Sequence, residues 1–144
     1  MRLAICLVPL LAPAAGARAE ALPEVPDSRP VEPALSASIR ADMASDELLL
    51  GIRRWEGNLV GDATPDYLVE AFFSPIGGNA VYPRHWIFIA APEGFTSFFP
   101  VELPGSIISA AIEGNALVVT LSTYRPTDPR CCPTGVEVVR LPLT

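Results

Sequence analysis

The chain has 144 residues with ten arginines, no lysine, sixteen acids and one histidine, for a formal charge of −6. Half of it is hydrophobic, which excludes a chain disordered over most of its length, and the length suits one domain. Lacking lysine, it has no Schiff-base or Lys-nucleophile chemistry, and its acidity argues against general affinity for nucleic acid or anionic membrane.

Met1 and Arg2 precede an apolar run from Leu3 to Leu11, and small residues end at Ala17-Arg18-Ala19. This pattern predicts a secretory signal peptide over residues 1–19, too short to span a bilayer and cleaved after Ala19. Ile5 and the position of Cys6 ahead of most of the apolar run oppose a lipid anchor there. Cleavage leaves eight arginines against sixteen acids, a charge of −8. The product is expected to be periplasmic or secreted, without membrane insertion, and an oxidising compartment would then hold Cys131 and Cys132.

Residues 20–34 carry four prolines and four acids between Glu20 and Ala34, a composition expected of a hydrated linker. Residues 35–144 are expected to form one β-rich domain. Ser36 to Leu50 offers the one plausible helix, with Leu35, Ile39 and Met43 near helical spacing and Ser36 or Ser38 as cap. Leu48-Leu49-Leu50 suits a strand equally well.

Extended segments follow at Tyr67–Phe73, Val81–Ala91, Phe95–Leu103, Ile107–Glu113, Ala116–Tyr124 and Val136–Leu141. Trp86 to Ala90 is apolar on both faces, as in a covered central strand. Pro100 places its segment at an edge, and Gly114-Asn115 is a two-residue hairpin signal. Short links at residues 75–79, 92–94 and 104–105 favour a meander. The fold expected is mainly β: a single antiparallel sheet of five to six strands with one short N-terminal helix, or α+β as runner-up.

Asn58, Asp62 and Asp66 stand within Gly57-Asn58-Leu59-Val60-Gly61-Asp62-Ala63-Thr64-Pro65-Asp66. That stretch resembles a degenerate copy of the calcium-ligating G-D-x-N-G-D-G-x-x-D segment of FG-GAP and VCBS-type β repeats. The resemblance implies calcium ligation by these three residues, but Val60 replaces a ligand and Ala63 the glycine. The competing and weightier expectation is that the three are turn formers. No other cofactor is expected.

The polar stretch from Arg125 to Gly135 is the longest connection and the place to expect function. Its D-P-x-C-C-P-[ST] segment resembles small exported bacterial proteins such as the LppP/LprE-type mycobacterial lipoproteins, which implies an exported β-rich domain. Three states are open to Cys131 and Cys132: a vicinal disulfide, an intermolecular bridge or free thiols. The first is favoured because no other intramolecular partner exists. Arg125, Asp128 and Arg130 are the candidate contacts of this loop.

His85 is the sole histidine, and no nucleophile elbow, phosphate loop or dinucleotide fingerprint accompanies it. Glu70, Glu93, Glu102 and Glu113 could supply a carboxylate pair but on alternating strands are expected on the solvated face. No catalytic residue is therefore assigned. The function expected is non-enzymatic binding or a structural role in the bacterial envelope, with an envelope protein or ligand as partner. The alternative is a small hydrolase or thiol-redox protein using His85, Cys131 and Cys132, or a carboxylate pair. A concave site holding His85 with an acid or thiol in hydrogen-bond reach would favour that alternative.

Overall fold

A computed structural model describes residues 19–61, 64–91 and 94–143, with backbone alone for 94–96. The expected leader, apart from Ala19, and Asp62, Ala63, Pro92 and Glu93 lie outside the described residues. The elements are β1 (Glu20–Leu22), α1 (Pro33–Ala41), β2 (Glu47–Gly57), β3 (Asp66–Pro75), β4 (Tyr82–Ala91), β5 (Gly94–Val101), β6 (Ser106–Glu113), β7 (Ala116–Thr123) and β8 (Gly135–Pro142). The fold is mainly β with one helix, as expected. The single sheet is corrected, however, to two four-stranded antiparallel sheets, ordered β1-β6-β7-β8 and β2-β3-β4-β5.

Each sheet contains a run of sequence-adjacent antiparallel strands, and the break between them falls after β5. Pro100 and Pro104 flank that exit, where a strand deprived of donors cannot extend the ladder. The β6–β7 hairpin turns at Gly114-Asn115 as predicted, with Gly114 at φ 60°, the left-handed region that favours glycine.

Two apolar layers result. Leu117, Val119 and Leu121 of β7, with Ile107 and Ala110 of β6, face Trp55, Leu68 and Ile87 across the gap between the sheets. The opposite face of the β2–β5 sheet presents Val69, Phe73, Trp86 and Phe88 to Leu35 and Ile39 of α1. β3 and β4 are thus covered on both sides, β3 being buried at eight of its ten positions. Phe98 stacks on Trp86 at 5.5 Å between ring centroids, whereas Phe99 is exposed.

The helix begins at Pro33, earlier than the predicted Ser36, because proline suits the first turn, where no N–H bond is lost. It ends at Ala41, and Leu48-Leu49-Leu50 belong to β2.

Residues 20–34 require the largest correction, since they pack on the domain instead of tethering it. β1 pairs with β6, and Glu24 bridges to Trp55. Val25 N–H donates to Arg54 O at 2.8 Å, and Glu56 N–H to Pro23 O at 3.0 Å. Arg53 Nε and Nη2 grip the Glu24 carboxylate at 2.7 and 3.1 Å, and Arg54 Nε lies 3.2 Å from Glu32. Arg29 pairs with Glu56. Proline keeps the segment extended, so its acids meet the arginines of β2 and the strap covers an otherwise open sheet edge. No described helix is long and apolar enough to cross a membrane.

Candidate functional site

The antiparallel register sets Arg53 opposite Glu70 and Glu70 opposite His85, a polar row across β2, β3 and β4. All three lie on the face toward the second sheet, alongside Trp55, Leu68 and Ile87. Glu70 is 0% exposed and His85 4%, which corrects the expectation of a solvated Glu70. Glu70 Oε1 accepts from Arg53 Nη1 at 3.0 Å, and Oε2 accepts the Ile107 N–H at 2.7 Å. Arg53 Nη1 also donates to Ile107 O at 3.2 Å. Both backbone groups of Ile107 are thereby satisfied across the gap, so Glu70 and Arg53 fasten one sheet to the other. Arg53 beside it also holds the Glu24 carboxyl below the ordinary glutamate range, through its hydrogen bonds first and its charge second.

His85 Nε2 stands 2.9 Å from Glu70 Oε2. A carboxylate only accepts, so Nε2 carries the hydrogen of this bond and Nδ1 is left as an acceptor in the neutral ring. Nδ1 has no hydrogen-bond partner among the described residues. The ring borders a cleft of about 250 Å³ where β5 leaves β4, between Pro83, Pro100 and Leu103, with Asp42, Arg84 and Glu102 as its other charged residues. Arg84 is engaged by Glu47 at 2.5 Å and by Asp42 O. Glu102 and Glu113 do not meet Glu70: Glu102 is exposed at the cleft and Glu113 pairs with Arg140. Glu93 lies outside the described residues.

The loop from Tyr124 to Gly135 is exposed over most of its length yet tied to itself. Cys131 and Cys132 are disulfide-bonded, with Cα atoms 3.7 Å apart. Asp128 Oδ2 accepts the N–H groups of Arg125 and Thr134, each at 2.7 Å, and Oδ1 accepts Thr134 Oγ1–H at 2.8 Å. These donors, the backbone N–H of Arg125 foremost, hold the Asp128 carboxyl below the ordinary aspartate value. Cys132 N–H donates to Pro129 O at 3.0 Å, and Tyr124 OH donates to Arg130 O. Gly135 ends the loop against Thr123, where a Cβ would come within 2.6 Å of Thr123 Oγ1. Asp128 is therefore the hub of the loop. Arg125 and Arg130 are exposed at its surface, and neither forms an ion pair among the described residues.

At the acidic turn, Asp66 is fully buried. Its Oδ2 accepts Leu59 N–H at 2.9 Å and its Oδ1 accepts Ala90 N–H at 3.0 Å. Asn58 Oδ1 accepts Gly61 N–H at 2.8 Å. Both side chains do what turn formers do, stitching the loop to the start of β3 and the end of β4. Asp62 lies outside the described residues. Among the described residues no three His, Cys, Asp or Glu side chains are grouped to hold a metal ion.

Sequence inspection missed the Arg53–Glu70–His85 row. The signal was parity: Glu70 alternates in phase with Leu68 and Phe72, and Arg53 with Trp55, so each charge sits on an apolar face. Set against protein-family models, curated proteins and solved structures, the chain matches none.

Proposed function

We propose that this chain is an exported domain of the bacterial envelope, periplasmic or secreted, that acts by binding and not by catalysis. Its contact surface is the loop from Tyr124 to Gly135, and its partner is an envelope protein or ligand carrying acidic groups. The observation behind this reading is an exposed loop that is cross-linked internally by Asp128, the Tyr124–Arg130 bond and the Cys131–Cys132 bridge. A loop already ordered loses little entropy on binding, and the uncommitted guanidiniums of Arg125 and Arg130 suit a carboxylate or phosphate. The N-terminal pattern of Met1 to Ala19 supports export.

The test is capture from envelope extract by the wild-type chain and by Arg125→Ala/Arg130→Ala, each with and without reductant and calcium. Partners held by the wild type and lost by the double variant are the expected result. An identical set on both baits would overturn the loop as the contact surface.

The Glu70–His85 pair beside a cleft favours a second reading, a small envelope hydrolase. Water would be the nucleophile, because the cleft presents no serine, threonine or cysteine. Turnover of small esters that disappears in His85→Gln, with circular dichroism unchanged, would establish it. Absence of turnover in the wild type would remove it.

A further inference from the structure

In the polar row between the sheets, Glu70 and Arg53 each satisfy a backbone group of Ile107, whereas His85 satisfies none. Its one hydrogen bond among the described residues is to Glu70. What His85 adds is an acceptor, Nδ1, held by the Glu70 bond on a ring that borders the cleft and is itself 96% buried when its exposure is 4%.

The cleft around it is rich in acceptors and poor in donors. Its one guanidinium among the described residues, Arg84, gives Nη2 to Glu47 and Nη1 to the Asp42 carbonyl, and its Nε is buried without a hydrogen-bond partner. The carboxylates of Asp42 and Glu102 enter no hydrogen bond or ion pair among the described residues. The three acceptor side chains are not grouped closely enough to cage a metal ion. The space, about 250 Å³, falls short of the roughly 300–1,000 Å³ that takes drug-sized molecules.

From this arrangement we infer that the cleft is a binding site for a small organic cation, a short aliphatic chain ending in a primary ammonium group. The ammonium donates to His85 Nδ1, the aliphatic chain lies against Pro83, Pro100 and Leu103, and Asp42 and Glu102 supply the negative field. A neutral alcohol offers the same hydrogen bond without the charge, and an anion is repelled.

The single histidine makes the test direct. Full-length protein labelled with nitrogen-15 at histidine is titrated with butylamine, putrescine, butanol and acetate while the ring signals are followed. Saturable shifts with the two amines, and none with butanol or acetate, are the expected result. Asp42→Asn/Glu102→Gln, which alters exposed positions and leaves the buried row intact, should weaken amine binding about tenfold at low salt. No saturable shift with either amine would overturn the inference. So would equal binding of butanol, or unchanged amine affinity in the double variant.

Discussion

Replacing Glu70 with alanine would strip three donors of one acceptor at the centre of the sandwich. The Ile107 N–H, 2.7 Å from the carboxylate and far from water, would be left unpaired, which costs about 1–3 kcal/mol. Arg53 would retain Glu24 and Ile107 O, so its charge would stay compensated. His85 would lose its only hydrogen bond among the described residues, and a void would open beside Leu68. With the Ile107 and His85 N–H groups both left buried without an acceptor, each at about 1–3 kcal/mol, we expect Glu70→Ala to cost about 2–5 kcal/mol, out of a total stability of about 5–15 kcal/mol. Removing the surface pair with Glu113→Gln, where Arg140 lies 3.4 Å away, should cost no more than about 0.5 kcal/mol. Urea unfolding of both variants against wild type measures the difference. If Glu70→Ala loses under about 1 kcal/mol, or no more than Glu113→Gln, the row does not join the sheets and its assigned role fails.

Tyr67 has its phenol pushed up to about 12, by burial first and by the Glu32 carboxylate second. The folded chain then holds this proton while the unfolded chain releases it near the ordinary 10, so stability is full below about pH 10 and declines as pH rises toward 12. Tyr67→Phe should flatten that slope in alkaline urea titrations; an unchanged slope would count against it. The Cys131–Cys132 bridge joins adjacent residues and closes almost no chain, so reductant should lower global stability by about 1 kcal/mol or less. A larger fall would mean that the loop supports the sandwich itself. Millimolar calcium should leave Tm unchanged because both Asp66 oxygens already accept backbone N–H bonds, and a clear rise would show the acidic turn to be a metal site.

Legibility of the sequence followed periodicity. Six strands announced themselves through alternation or through the two-sided apolar run at Trp86 to Ala90, and Pro100 and Gly114-Asn115 marked an edge and a turn for reasons internal to one or two residues. The second sheet did not announce itself, because Pro100 and Pro104 mark β5 as an edge without saying whether the chain then begins another sheet. β2 was obscured by Arg53-Arg54 in its middle, two charges whose partners lie on residues 24, 32 and 70. The linker was misread for the complementary reason: its acids look solvated until the arginines that take them are in place. Of the candidate sites, the Cys131–Cys132 disulfide was legible because the two cysteines are adjacent. The Glu70–His85 pair depends on strand register, which no single stretch encodes.

The strap over the β2 edge bears on the order in which the molecule assembles. Residues 20–22 pair with 110–112, and Glu24 and Val25 lie along β2, so the first described residues rest on platforms supplied by the middle and the end of the chain. The β6 platform does not exist until the second sheet has formed, and closing so long a stretch of chain is entropically slow. We expect the N-terminal strap to be set last and released first. Hydrogen exchange should find the Val25 and Glu56 amides opening at lower free energy than those of β3 and β4; equal protection would mean that strap and sandwich form as one cooperative unit. On the first account the domain is a finished sandwich with a removable latch, and a force or a competing strand acting on residue 20 would peel the latch before disturbing the core.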